Sequence, residues 1–176
     1  DRIPLTERLN QLDGKTIFLI KSWAEDSGFE EATEDLAEIL LDVGATPIIA
    51  DLNVRYSEYD TELWGRMESE GADGFVYIAA ASSSTTSYAF KWSTSFEHNG
   101  LPGVVLAFDK LADVGETTMQ REGAALRSVD FSYPMTNMEE NQYQAALQEV
   151  MLALTSPLIA EEKLTGQIEP KDYPEL

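Results

Sequence analysis

Asp73–Ser87, DGFVYIAAASSSTTS, is the stretch on which the reading of the chain turns. Its first half, Phe75 to Ala80, is a continuous apolar run of strand length, the signature of a strand buried on both faces of a sheet. Six consecutive hydroxyl residues follow: Ser82, Ser83, Ser84, Thr85, Thr86 and Ser87. Tyr88, Trp92 and Phe96 then recur at helical spacing. The hydroxyl run therefore leaves the carboxyl end of a strand and opens a helix. In an open α/β sheet that edge is where ligands bind. Unpaired N–H groups at a helix start, with hydroxyls beside them, suit a small carboxylate or phosphate. The same residue types also act as N-caps and turn formers with nothing bound.

Working outward, the same alternation repeats. Upstream, Asp1–Gly14 reads as a short helical or irregular lead-in. Thr16–Ile20, TIFLI, is the first buried strand. After the loop Lys21–Gly28, residues Phe29, Ala32, Leu36, Leu40 and Val43 mark a helix that Gly44 closes. Thr46–Ala50 is a second strand, and Leu63, Trp64 and Met67 mark a helix that Gly71 stops. Downstream, the helix after the hydroxyl run ends at about His98, before Asn99-Gly100. Gly103–Phe108 is a fourth strand, followed by a helical region with Leu111, Met119 and Ala124–Leu126, and Ser128–Tyr133 is a shorter fifth strand. Met138–Leu154 carries Leu147, Val150, Met151 and Leu154 on one helical face, and Pro157 ends it. This order predicts a single doubly wound (flavodoxin/Rossmann-like) α/β domain over residues 1–157, with a parallel five-stranded sheet in the order 2-1-3-4-5. Leu158–Leu176, with Pro170 and Pro174, reads as an extended C-terminal tail. It is either without fixed structure or wraps a partner subunit through Ile159, Leu164, Ile168 and Tyr173.

In the order 2-1-3-4-5 the crevice lies between the first and third strands. Lys21, Ser22 and Trp23 then face the hydroxyl run across it, Lys21 as a charge for an anion and Trp23 as a wall or stacking surface. Asp109 and Tyr133 border the same edge, Asp109 as a helix cap or an acceptor for a ligand group, Tyr133 as a phenol or a packing residue. The stripe Tyr88, Trp92, Phe96 is explained first by core packing, with a helix–helix dimer face as the sharper alternative. His98, the one histidine, falls at the far end of its helix, where it complements the negative terminus and is badly placed for a triad with Ser82.

Composition removes several classes of function. The chain has 176 residues, 43% of them hydrophobic, enough for one sizeable core. It has 32 acidic and 12 basic residues, a net charge of −20. That balance argues against binding nucleic acid or an anionic membrane surface. It also suits a high-salt environment, and it requires any anion site to be strongly local. With no cysteine there is no disulfide, no thiolate nucleophile and no Cys-ligated metal, and no metal site is expected. No Walker loop, no G-x-G-x-x-G and no G-x-S-x-G is present, and no cofactor is expected. No apolar run approaches a membrane span, and DRIPLTERLN does not read as a signal peptide, so a cytoplasmic location is the default expectation.

The order of elements, together with one motif, resembles the UGSC family, which is similar to the selenoprotein B subunit of glycine and betaine reductases. In that family the third strand runs into G-D-(U or C)-G-S-C-T-S-W, where U is selenocysteine. The matching stretch is Ala80 to Tyr88, in which Ser84, Thr86, Ser87 and the aromatic Tyr88 fit the pattern. Asp73-Gly74-Phe75-Val76 resembles the family's D-A-V-V, Leu101-Pro102-Gly103-Val104-Val105 its G-I-P-T-V-V, and Ser132-Tyr133-Pro134-Met135 its P-H-P-L without the histidine. The resemblance places the family's redox pair at Ser82 and Thr85, where alcohols can neither act as thiolates nor cross-link. Two expectations follow from it. One is a non-catalytic accessory subunit that pairs with a Cys- or selenocysteine-bearing paralogue, or forms a homodimer. The other is an enzyme or binder that holds a small carboxylate or phosphate on Ser83, Ser84, Thr86, Ser87 and Tyr88, without thiol redox chemistry.

The charge balance yields a direct expectation. Self-repulsion among the acids weakens as salt screens it, so the melting temperature rises from low to molar NaCl. A melting temperature that stays flat across a calorimetric salt series would show that the acids do not repel one another appreciably in the folded state.

Overall fold

Among the described residues five parallel strands and five α-helices alternate, as the hydrophobic pattern predicts. The computed structural model describes residues 3–22 and 28–163. The strands are β1 (Thr16–Lys21), β2 (Thr46–Asp51), β3 (Gly74–Ile78), β4 (Gly103–Phe108) and β5 (Ser128–Phe131). They hydrogen-bond in the order β2-β1-β3-β4-β5. The helices are α1 (Glu30–Asp42), α2 (Thr61–Ser69), α3 (Ser83–His98), α4 (Ala112–Glu122) and α5 (Glu140–Thr155). Among the described residues no helix is long and apolar enough to cross a membrane.

Side chains alternate across each strand, so the apolar runs of β1, β3 and β4 feed two cores. Ile17, Leu19, Val76, Ile78, Leu106 and Phe108 face one side and pack on α1 and α5 through Leu36, Leu40, Leu147 and Val150. Phe18, Ile20, Phe75, Tyr77, Val105 and Ala107 face the other and pack on α2 and α3 through Leu63, Met67, Ala89, Phe90 and Phe96. β2 is an edge strand and is only partly buried. Thr46 N–H donates to Lys15 O at 2.8 Å, on the β1 side, so the next residue, Pro47, stands where an N–H would face the open edge.

Toward both ends the described chain is held by long-range partners. The lead-in contains no helix among the described residues. It is an extended strap held by backbone bonds: Ile3 N–H to Gly123 O at 2.8 Å, Leu5 N–H to Glu162 O at 2.9 Å and Leu9 N–H to Leu154 O at 2.9 Å. The packed chain also continues beyond Pro157. Leu158 is buried, and Ala160–Lys163 forms a short 3-10 turn. Within that turn Glu162 takes two hydrogen bonds from Arg127, Nε at 2.7 Å and Nη2 at 2.9 Å. Arg127 in turn donates to the carbonyls of Ala153, Ser156 and Pro157, closing the end of α5. Leu164, Ile168 and Tyr173 lie outside the described residues. β5 stops at Phe131, two residues short of the expected Tyr133, and α5 begins at Glu140, where a capping box of Glu139 and Gln142 starts it.

Burial alone would raise the Glu162 carboxyl; the Arg127 hydrogen bonds, the Ile159 N–H and the Arg127 charge outweigh it and hold the group below its ordinary range. A carboxylate lowered on folding stabilises the fold above its unfolded pKa and loses that contribution as pH falls through the folded value. Glu162→Gln should therefore cost about 1–3 kcal/mol at neutral pH. Its deficit against the wild type should shrink on acidification below the ordinary carboxylate range, measured by urea unfolding at each pH. A deficit independent of pH would show that packing, not charge, holds the C-terminal turn.

Candidate functional site

The hydroxyl run divides into two groups with different surroundings. Ser82 is the N-cap of α3, and its Oγ accepts from Thr85 N–H at 3.3 Å. Thr85, one turn into the helix, is buried, and its Oγ1 lies 2.7 Å from Ser82 Oγ and accepts from Ala80 N–H at 3.3 Å. Thr86 is fully buried, with Oγ1 donating to Ser82 O at 2.8 Å. Ser82, Thr85 and Thr86 thus close the turn from β3 into α3 upon itself. An N-cap of this kind contributes about 1 kcal/mol.

Ser83, Ser84, Ser87 and Tyr88 point elsewhere. With Lys91, Val114 and Arg121 they line an open cleft of about 470 Å³ between α3 and α4. The two helices are pressed together beneath it. Ser87 Oγ and Thr118 Oγ1 are 3.3 Å apart, and at Gly115 a Cβ would meet the Phe90 ring at 2.8 Å, so only glycine allows this approach. Arg121 Nη2 donates to Ser87 Oγ at 3.4 Å, and Arg121 Nε is 3.6 Å from Glu122 Oε1. Lys91 Nζ lies 5.2 Å from the Trp92 ring centre and 5.9 Å from that of Tyr88, and it forms no ion pair among the described residues.

The other expected residues gather in separate places. Lys21 sits 3.6 Å from Asp51 across the β1–β2 pair, so its charge is turned toward β2 and not toward the hydroxyl run. Ser22 is buried, and both its N–H and its Oγ donate to Ile78 O, at 3.1 and 2.6 Å, which ties the ends of β1 and β3 together. Trp23 lies outside the described residues. Asp109 and Tyr133 meet beyond β4 and β5, where Asp109 Oδ1 accepts from Lys110 N–H at 2.8 Å and from Tyr133 N–H at 3.4 Å. Lys110 Nζ lies 3.5 Å from the centre of the Tyr133 ring. His98 is exposed at the opposite end of the sixteen-residue α3 from Ser82, roughly 24 Å away at helical rise, which rules out a triad between them. Among the described residues no group of three or more His, Asp or Glu side chains is placed to hold a metal ion.

The aromatic stripe is covered by the chain itself. Trp92 Nε1 donates to Tyr56 O at 2.9 Å, the Tyr59 ring is 5.5 Å from Trp92, and Phe96 stacks on Trp64 at 5.2 Å. The segment between β2 and α2 therefore occupies the face that a dimer partner would need. Lys91 and Arg121 were not among the sequence candidates. The signal for Lys91 is present: Ser84, Ser87, Tyr88 and Lys91 recur at i, i+3, i+4 and i+7, one face of a helix. Arg121 comes from another helix, and only the α3–α4 packing brings it in.

These features define a doubly wound, flavodoxin-like α/β domain whose third strand opens into a self-capped hydroxyl turn beside a cationic cleft. No family model matches the chain, and no curated protein matches it.

The contact between Ser82 Oγ and Thr85 Oγ1 has a covalent counterpart. The chain is free of cysteine, so in Ser82→Cys/Thr85→Cys mild oxidation should close a disulfide between the two new thiols, because helix positions N-cap and N3 fall within disulfide reach. Thiol titration before and after oxidation reads the result. Two thiols that stay titratable in the folded protein would show that the turn does not hold its side chains at pairing distance.

Proposed function

We propose that the chain is a non-catalytic accessory subunit of an enzyme of the UGSC type, acting in the cytoplasm beside a paralogue that bears cysteine or selenocysteine at the corresponding loop. The observation that carries this reading is the pair Ser82 and Thr85, whose side-chain oxygens are 2.7 Å apart at the start of α3. The two positions adjoin each other as a redox pair must, yet both are alcohols. An alcohol is not deprotonated at neutral pH without strong activation, and two alcohols form no cross-link. Their hydrogen-bonding capacity is spent on capping the helix instead. The turn has kept its form, and its chemistry lies in the partner.

In this reading the partner docks on the α1 and α5 layer. Leu41 and Leu152, in the last turns of these helices, are 62% and 57% exposed in a strongly acidic chain. Co-expression with a paralogue carrying both loop cysteines should give a hetero-oligomer in native mass measurement. Leu41→Asp/Leu152→Asp should dissociate it while leaving the melting temperature of the isolated chain nearly unchanged. Recovery of the chain as a pure homo-oligomer with reductase activity of its own would overturn the proposal.

A second reading is favoured by the α3–α4 cleft, with its two cations and three serines. In it the chain is a binding protein or enzyme for a small carboxylate or phosphate, without thiol redox chemistry.

A further inference from the structure

The cleft between α3 and α4 runs against the electrostatics of the rest of the molecule. In a chain with 32 acidic residues, its lining includes no carboxylate and two cations, Lys91 and Arg121. Half of the other eight lysines and arginines among the described residues are committed to a carboxylate. Arg8 is paired with Glu97, Lys21 with Asp51, Arg66 with Glu70 and Arg127 with Glu162. Lys91 has no carboxylate partner among the described residues, and Arg121 has only its sequence neighbour Glu122, at 3.6 Å. Two cations held on facing helices repel each other, and a bound anion removes that repulsion.

The donors also have a definite arrangement. Ser83 and Ser84 stand on the first turn of α3, Ser87 and Lys91 follow on the same helix, and Arg121 reaches across from α4 to within 3.4 Å of Ser87 Oγ. Five donor side chains thus converge on one space, with the phenol of Tyr88 at its wall. A carboxylate presents two oxygens, whereas a phosphomonoester presents three and carries up to two charges, which matches two cations and three hydroxyls. The cleft volume, about 470 Å³, lies in the range of small-molecule sites and leaves room for an organic group against Tyr88 and Val114.

We propose that the α3–α4 cleft is a binding site for a phosphomonoester, its phosphate held by Lys91, Arg121 and the hydroxyls of Ser83, Ser84 and Ser87, and its organic part packed on Tyr88. The proposal rests on the second of the two functional readings and assigns that reading a ligand class and a place. The place is new relative to the sheet crevice between β1 and β3, since it lies between two helices and not at the strand ends. Both cations approach the ligand from side chains, so the site operates despite the overall charge of −20.

The test is calorimetric titration of the full chain, alone, with inorganic phosphate, phenyl phosphate and benzoate at an ionic strength fixed with NaCl. Phenyl phosphate should bind more tightly than inorganic phosphate, and benzoate more weakly than phenyl phosphate. Lys91→Gln and Arg121→Gln should each weaken phenyl phosphate binding roughly tenfold or more, the loss expected for one charge-assisted contact. Arg66→Gln, on α2 and outside the cleft, should leave binding unchanged. Thermal melts check that each variant is folded, which the exposure of Arg121 favours. Benzoate binding as tightly as phenyl phosphate, with the same sensitivity to Lys91 and Arg121, would overturn the phosphate assignment and keep the binding reading. Phenyl phosphate binding unaffected in the Lys91→Gln/Arg121→Gln double variant would overturn the site. Failure of all three probes to bind the wild type would overturn both.

Discussion

A buried ion pair at the lower edge of the sheet fixes the helix on which the candidate site stands. Arg8 Nη2 donates to both carboxylate oxygens of Glu97, at 2.6 and 2.7 Å, with side-chain exposures of 1% and 0%. Glu97 also accepts from Thr6 N–H and Gly103 N–H, each at 2.9 Å, and Arg8 Nη1 donates to Gly103 O at 3.0 Å. Burial raises the Glu97 carboxyl above its ordinary range, while Arg8 and the two N–H groups pull it back. Taking both charges out of water is costly, so the pair does not by itself make the fold more stable than an apolar pair would. Breaking it by removing one partner would leave the other charge stranded, at about 3–5 kcal/mol. Its effect is one of position. It joins the N-terminal strap, the last turn of α3 and the first residue of β4 at one point, and Gly103 has no Cβ because the Phe75 ring fills that space.

α3 is accordingly anchored twice, at its lower end by Glu97 and at its upper end by the Ser82 cap. One face is buried on the sheet through Ala89, Phe90 and Phe96, and the stripe beside it is covered by Tyr56, Tyr59 and Trp64. The remaining face, with Ser84, Ser87, Tyr88 and Lys91, is presented toward α4 by a rod that has little freedom to turn. A binding face on a helix so constrained holds its donors in place before any ligand arrives, which reduces the ordering cost of binding.

The strand order was legible because β1, β3 and β4 are buried on both faces and written as unbroken apolar runs, and because right-handed crossovers leave few topologies. The caps were legible in the same way: Ser82 stands at the position where the helical pattern begins. The direction of each hydroxyl was not. Six alike residues at a strand-to-helix turn look equivalent in sequence, yet helical geometry sends Thr85 and Thr86 inward and Ser83, Ser84 and Ser87 outward. Lys21 was placed by its position just past the first strand, at the crevice of the 2-1-3-4-5 order, and what decides its contacts is the register that sets Asp51 directly opposite. The strap's anchoring was not legible because it depends on long-range partners, Glu97, Glu162 and Gly123, none of which leaves a local pattern. The placement of Leu158 to Lys163 was hidden for the same reason, since Arg127 holds this stretch from another part of the chain.

Pro47 on the edge strand β2 bears on how the molecule meets others. An open sheet edge is a template for further strands, and sheets of different chains fuse there by main-chain bonding. At β2 one donor of that template is missing, because the proline ring stands where an amide would point outward. The opposite edge, β5, is only four residues long. Neither border offers a continuous ladder, so the sheet terminates within its own chain. A strand added at β2 would forgo one main-chain bond, a cost that side-chain contacts on the helical layers do not carry.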